Sequence, residues 1–277
     1  MSARAKVAPV VKGSIKAAAA AADVVRPDVD GITILIYHRV GAGAGGEMDV
    51  DPGVFDQHLA WLSTNHRVLS LDDAIDELDR PGGDGDDRPG VVLTFDDGTA
   101  DWRTHVLPAL ERHGVPATFY VATDFVEQQL PFPGGGEPIS WSALGELAAS
   151  PPVTIGSHTD RHLLLDRLDD AQVDAELDRS IELLRARIDV DPEHFCYPKA
   201  VAGSPAADAA VRRRFRSAVL AGTRPNRPGC DLFRLQRSPV QRSDAMRWFR
   251  RKADGGMRLE DDLRRSVNEL RYRGATS

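Results

Sequence analysis

The chain is poor in cysteine, poor in lysine and without any long apolar run. Two cysteines among 277 residues, Cys196 and Cys230, cannot build a disulfide framework or a four-cysteine zinc site. They read as two small, partly buried thiols; a single disulfide between them would belong to an exported protein. Lysine occurs five times, while arginine supplies the rest of the 35 basic residues. That is a compositional habit rather than a site. With 42 acidic residues the formal net charge is -7, which argues against a nucleic-acid partner on electrostatic grounds. No stretch approaches the ~20 apolar residues of a membrane span. What is present is an ordinary globular balance, 42% hydrophobic and 28% charged, enough for one large domain with a full core.

Residues 1–30 stand apart as an N-terminal extension ending at the turn-rich "RPDVDG". The start is basic and an alanine run follows, but Lys12 and Lys16 break any apolar core and Asp23 closes the alanines. A secretory segment wants about 7–15 uninterrupted apolar residues. The extension therefore reads as an amphipathic or frayed helix with peripheral membrane contact. A cytoplasmic or membrane-peripheral location is expected, with export as the alternative. Residues 31–277 read as a single catalytic domain.

Along that domain strands and helices alternate. "ITILIYHRV" is β-branched and apolar on both faces, as a buried parallel strand is. "DPGVFDQHLAWLSTN" is a helix with Asp51 as its N-cap, and "LSLDDAIDELD" is a second. "VVLTF", "PATFYVA", "PVTIG", "HFCYP", "SAVLA" and "FRLQRSPV" are further strands. "DWRTHVLPALERHG" (closed by Gly114), "SWSALGELAAS", "DDAQVDAELDRSIELLRARI" and "DAAVRRRF" are the helices between them. A charged amphipathic helix is expected at 258–274. The alternation implies a parallel sheet with right-handed crossovers. About seven strands in this length suit an α/β barrel.

In such a barrel the chemistry lies at the C-terminal strand ends. That rule gathers Asp96 and Asp97 after "VVLTF", His158 and His162 after "PVTIG", His38 after "ITILIY" and Lys199 after "HFCYP". Adjacent carboxylates point in different directions, so one can bind a metal while the other takes a proton. If a helical turn begins near Thr159, His158 and His162 share one face. Two imidazoles and one carboxylate with an open position make a catalytic zinc set. Taken alone, the Asp pair also suits a turn capping the next helix, and the histidines a solvated helix start. His105, His113 and His194 read as helix or loop histidines and not as ligands.

"TFDDG" followed by "SHTDRH" resembles the polysaccharide deacetylase family, the NodB-homology or carbohydrate esterase 4 group. "ILIYHRV", "LPALERHGVPATFYVAT" and "ISWSALGELA" are similar to that family too, so the resemblance covers most of residues 32–240. It implies a distorted (β/α)7 barrel, a divalent metal, most often Zn2+, and hydrolysis of acetyl groups on a carbohydrate. Carried over by position, it implies Asp96 as general base, and Asp97, His158 and His162 as metal ligands. It also implies an oxyanion-binding backbone N–H at Lys199. Two positions depart from the pattern. Cys196 stands where an arginine often steadies the base, and Arg237 stands where a late histidine often serves as the acid. Arginine stays charged and is a poor proton donor, though it can orient Asp96. His38 becomes the candidate acid, and the Lys199 side chain a candidate contact for an acidic sugar. Deformylation or deacetylation of a lipid-linked sugar, or cyclic amide hydrolysis, keeps the fold and changes the substrate. A glycan-binding domain that has lost catalysis is the alternative from another class.

Overall fold

The computed structural model describes residues 31–80 and 86–258. The expected N-terminal extension lies outside the described residues, as does the C-terminal helix beyond Arg258. Seven strands carry the fold: β1 (Ile32–Tyr37), β2 (Gly90–Asp97), β3 (Ala117–Val121), β4 (Val153–Ser157), β5 (His194–Cys196), β6 (Ser217–Val219) and β7 (Arg237–Pro239). Their spatial order is β7-β1-β2-β3-β4-β5-β6, and every neighbouring pair is parallel. A parallel bridge from Val219 to Leu235 joins the two ends. Beside it, Leu220 N–H donates to the Leu235 carbonyl and Gly222 N–H to that of Arg237. The sheet thus nearly closes as a distorted (β/α)7 barrel.

Alternation along the strands separates two surfaces. Tyr37, Phe95 and Phe119 sit side by side in register and stack at centroid distances of 5.3 and 4.9 Å. They face outward, where Phe55 and Trp102 meet them edge-on or tilted. Burying each such ring contributes roughly 1.5–3 kcal/mol. The other face turns into the barrel and brings Ile34, Val92, Tyr120, Cys196 and Val219 together. Asp96 and Arg237 share this inner face, so the barrel interior is charged near its upper end.

Among the described residues eight helices pack outside: α1 (Pro52–Asn65), α2 (Leu71–Asp79), α3 (Leu107–His113), α4 (Thr123–Gln128), α5 (Trp141–Ala148), α6 (Asp170–Ile188), α7 (Pro205–Arg214) and α8 (Met246–Ala253). Asp51 caps α1 by accepting from Gly53 and Val54, and Gly114 closes α3 at φ 63°, both as the sequence predicts. The segment before α3 is not α-helical: Trp102–Val106 forms a π turn. Pro108 explains it, because proline has no N–H for an i−4 bond and its ring crowds that carbonyl. The strand read over 32–40 breaks at His38, and two short strands, Asp49–Val50 and Arg67–Leu69, were not legible from pattern. Arg39–Val40 pairs with Asp49–Val50, and Arg67–Leu69 pairs with the first residues of β2. "FRLQRSPV" yields strand only at Arg237–Pro239. His194, read as a helix or loop histidine, instead opens the strand that "HFCYP" predicts.

Candidate active site

A cleft of about 570 Å³ opens at the C-terminal ends of the strands. Asp96, Asp97, His158, His162, His38 and Lys199 all line it. The sequence-derived set is therefore brought together at one mouth.

Asp97 ends β2 with φ 90°, a conformation that costs a non-glycine residue of order 1–3 kcal/mol and tends to mark functional sites. Its Oδ1 lies 4.0 Å from His158 Nε2 and 3.9 Å from His162 Nε2. The three donor atoms lie within 4.8 Å of one another. His158 is buried and its Nδ1 sits 2.8 Å from the Cys196 carbonyl oxygen. A carbonyl only accepts, so Nδ1 carries the proton and Nε2 keeps its lone pair toward Asp97. Burial, with His162 nearby, pushes the His158 pKa down to about 4. Burial, with Lys199 nearby, does the same for His162. Both imidazoles are thus neutral at pH 7, the form a metal takes. Two neutral imidazoles and a carboxylate, converging on one point in an open cleft, fit a divalent metal such as zinc.

The histidines are not presented by a helical turn. Thr159 and His162 both take left-handed backbone, φ 63° and 59°, so this stretch is a loop. Tertiary bonds hold it open. The N–H groups of Thr123 and Asp124, at the start of α4, donate to the carbonyls of Thr159 and Asp160. The buried Glu176 of α6 accepts from the Arg161 N–H at 2.8 Å and from its Nε at 2.6 Å. Sequence spacing found the pair but not this support.

Asp96 is answered by Arg237. The guanidinium makes a fork of two 2.7 Å bonds, Nη1 to Oδ1 and Nη2 to Oδ2. It also donates to Thr94 Oγ1 at 2.9 Å and to the Leu220 carbonyl at 3.1 Å. Burial alone would raise the Asp96 pKa; the Arg237 charge and bonds outweigh it and hold the carboxyl well below its usual range. Cys196 Sγ lies 2.9 Å from Arg237 Nη2 and 3.5 Å from Asp96 Oδ2. Asp96, His158 and Cys196 also have ligand-like spacing, but Arg237 already supplies the cation there. Burial pushes the Cys196 thiol well up, so it acts as a small filler beneath the guanidinium. Cys230 is likewise a free thiol.

His38 follows β1 and is half-buried; its carbonyl accepts from Trp102 Nε1 at 2.8 Å. Lys199 is exposed at the rim in a short turn, with φ 53°. Sequence reasoning missed Arg39, whose Nη2 lies 3.3 Å from Asp97 Oδ2. Its only signal was a place directly after His38. The remaining cleft wall is mostly apolar, with Met48, Phe125, Phe132, Leu163 and Leu164, and also includes Arg161.

Residues 83–216 match the family model for polysaccharide deacetylase. Over 156 residues the chain is 28% identical to YxkH of Bacillus subtilis (strain 168), whose name places it with the polysaccharide deacetylases. The alignment covers 55% of this chain and 50% of YxkH, so the chain spans about half the length of the curated relative it matches. The structure is similar to IcaB from Ammonifex degensii, with a TM-score of 0.70 at 24% identity, over 82% of this chain and 97% of that one. It is also similar to the Streptococcus pyogenes deacetylase PplD, solved with acetate, with a TM-score of 0.67 at 20% identity, over 78% and 94% of the two chains. At these identities the structural likeness establishes the barrel.

Proposed function

We propose, for a chain whose residues 83–216 belong to the polysaccharide deacetylase family, a metal-dependent hydrolase that removes acetyl groups from an N-acetylated sugar or polysaccharide. The observation that carries this reading is the meeting of Asp97, His158 and His162 beside an ionised Asp96 in one open cleft. Asp97, His158 and His162 would hold the metal. When bound, such an ion supplies Lewis acidity, acidifying a water and polarising the acyl oxygen.

The chain's own groups do the rest. Asp96 accepts the proton of the attacking water. A carboxylate offers about four lone-pair sites, so the Arg237 fork leaves room for it. The same fork makes Asp96 a weak base, which suits a water already acidified. Arg237 cannot serve as the acid, because it stays charged and is committed to Asp96. Of the three histidines lining the cleft, His38 is outside the donor set and is our candidate to protonate the leaving amine. The backbone N–H of Lys199 is our candidate donor to the oxyanion. The apolar part of the wall suits an acyl methyl and the C–H face of a sugar ring.

A second reading, deacylation of a lipid-linked sugar, is favoured by Met48 and Leu130. Among the described residues these are the exposed large hydrophobics. Met48 lines the cleft, and Leu130 N–H donates to Phe125, which also lines it.

The test combines elemental analysis with acetate release from chitooligosaccharides and acetylated xylan, for wild type and His162→Ala. One metal per chain, lost in the variant, with acetate released only by wild type, is the expected result. Metal without acetate would move the substrate to lipid-linked or formylated sugars. A folded wild type that takes up no metal after zinc is added would end the proposal.

A further inference from the structure

The two adjacent aspartates each have their own arginine, and the two pairs differ in kind. Asp96 meets Arg237 through both oxygens. Asp97 divides its oxygens. Oδ1 faces the two imidazoles, while Oδ2 faces Arg39 Nη2 at 3.3 Å. A carboxylate rotates broadly about its terminal torsion, so something must fix its plane so that one oxygen faces the histidines and the other does not.

Arg39 is built to be immobile. It is 3% exposed. Its strand is pinned at both ends, with Arg39 N–H donating to the Met48 carbonyl and Gly41 N–H to that of Val50. Asp49, on the partner strand, accepts from the N–H groups of Ala42 and Ala44 and fixes the intervening loop. A second loop closes over the guanidinium from the other side. Gly136 sits at φ +102°, and a Cβ there would lie 2.7 Å from Arg39 Nε and 2.9 Å from Thr99 Cγ2. Only glycine lets that loop lie so close. The same loop runs antiparallel to the turn after Asp97. Ala100 N–H donates to Glu137, and Ile139 N–H to Gly98. Both loops therefore converge on the Arg39–Asp97 contact.

We propose that Arg39 is a positioning residue for the metal site. It holds Oδ2 of Asp97 so that Oδ1 alone faces His158 and His162. This rests on the metal reading given under Proposed function. Groups that orient a metal ligand through its far atom typically contribute 10–100-fold to metal affinity. Charge alone predicts the opposite sign, because removing a cation beside the site would tighten the binding of another cation. The direction of the change therefore decides.

The experiment titrates metal-free full-length protein with Zn2+ against a chromophoric chelator, for wild type, Arg39→Met, Arg39→Lys and His162→Ala. Arg39→Met is expected to bind zinc 10–100-fold more weakly, with Arg39→Lys recovering part of the loss. A merely structural role would lower the melting temperature of the metal-free protein and leave zinc affinity unchanged. Zinc affinity in Arg39→Met equal to or tighter than wild type overturns the proposal. Should Arg39→Met not fold, Arg39→Gln is read by the same criterion. Wild type that binds zinc no better than His162→Ala would overturn both this proposal and the metal reading. Equal affinity in wild type and Arg39→Met, with His162→Ala weakened, overturns this one alone.

Discussion

Two histidine clusters sit at opposite ends of the barrel, and one of them has the more familiar geometry for hydrolysis. At the lower end His194 opens β5 and Ser217 opens β6. His194 Nδ1 lies 2.9 Å from Ser217 Oγ, and its Nε2 lies 3.2 Å from Asp72 Oδ1. Serine, histidine and aspartate at these distances resemble a nucleophilic triad, although the His194–Asp72 approach lacks hydrogen-bond geometry. Yet Ser217 and His194 are both fully buried, so no acyl group can reach the hydroxyl. This cluster ties α2 to the barrel floor, helped by Arg216 reaching Asp72 and Asp76. At the upper end no serine is involved, but Asp96, Asp97, His158 and His162 border an open cleft. Distances alone would have ranked the two clusters the other way. Access and strained backbone separate them.

The largest effect should come from attacking the proposed base at the top. Asp96→Asn is expected to lower kcat by about 10²–10⁴-fold with metal content unchanged, while Ser217→Ala leaves kcat as it was. Acetate release abolished by Ser217→Ala in a stably folded protein would reverse the assignment of the two clusters.

Next in size is the ion pair beneath the cleft. Arg237→Met strands a buried carboxylate, which typically costs about 3–5 kcal/mol. Arg216→Met, at the half-exposed floor pairs, should cost at most about 1 kcal/mol. Urea unfolding of both variants gives the comparison directly. A loss for Arg237→Met no greater than for Arg216→Met would show that the upper pair is not held as described.

A third effect is in pH. His158 and His162 titrate near 4 when folded, against 6.5 for the free side chain. Their folded values are depressed, so the unfolded chain takes up protons first. The stability they contribute is complete above about pH 6.5 and lost as pH falls toward 4. Metal-free protein should show a falling urea midpoint across that window, and a shallower fall in His162→Gln. A midpoint unchanged between pH 7.5 and 4.5 would contradict the burial of these rings.

Much of this was legible in the sequence where the cause is local. Alternating apolar runs marked the strands, Asp51 and Gly114 marked helix ends, and strand-end position picked out Asp96, Asp97, His158 and His162. What escaped depends on partners far along the chain. Arg39 and Asp97 are 58 residues apart, and no local pattern links them. The helical turn expected at Thr159 gave way to bonds from α4 and from Glu176, tertiary support that outweighs an i, i+4 spacing. Arg67–Leu69 is a strand of three residues, too short for alternation to register.

The Asp96–Arg237 fork joins residues 141 positions apart, and Arg237 also lies on the strand that closes the barrel. At roughly 5–20 residues per second, a ribosome finishes Arg237 about 7–28 s after Asp96. Until then the base has no counter-charge and the barrel has no seam. Closure of the barrel and the pairing of Asp96 with its counter-charge are therefore one event.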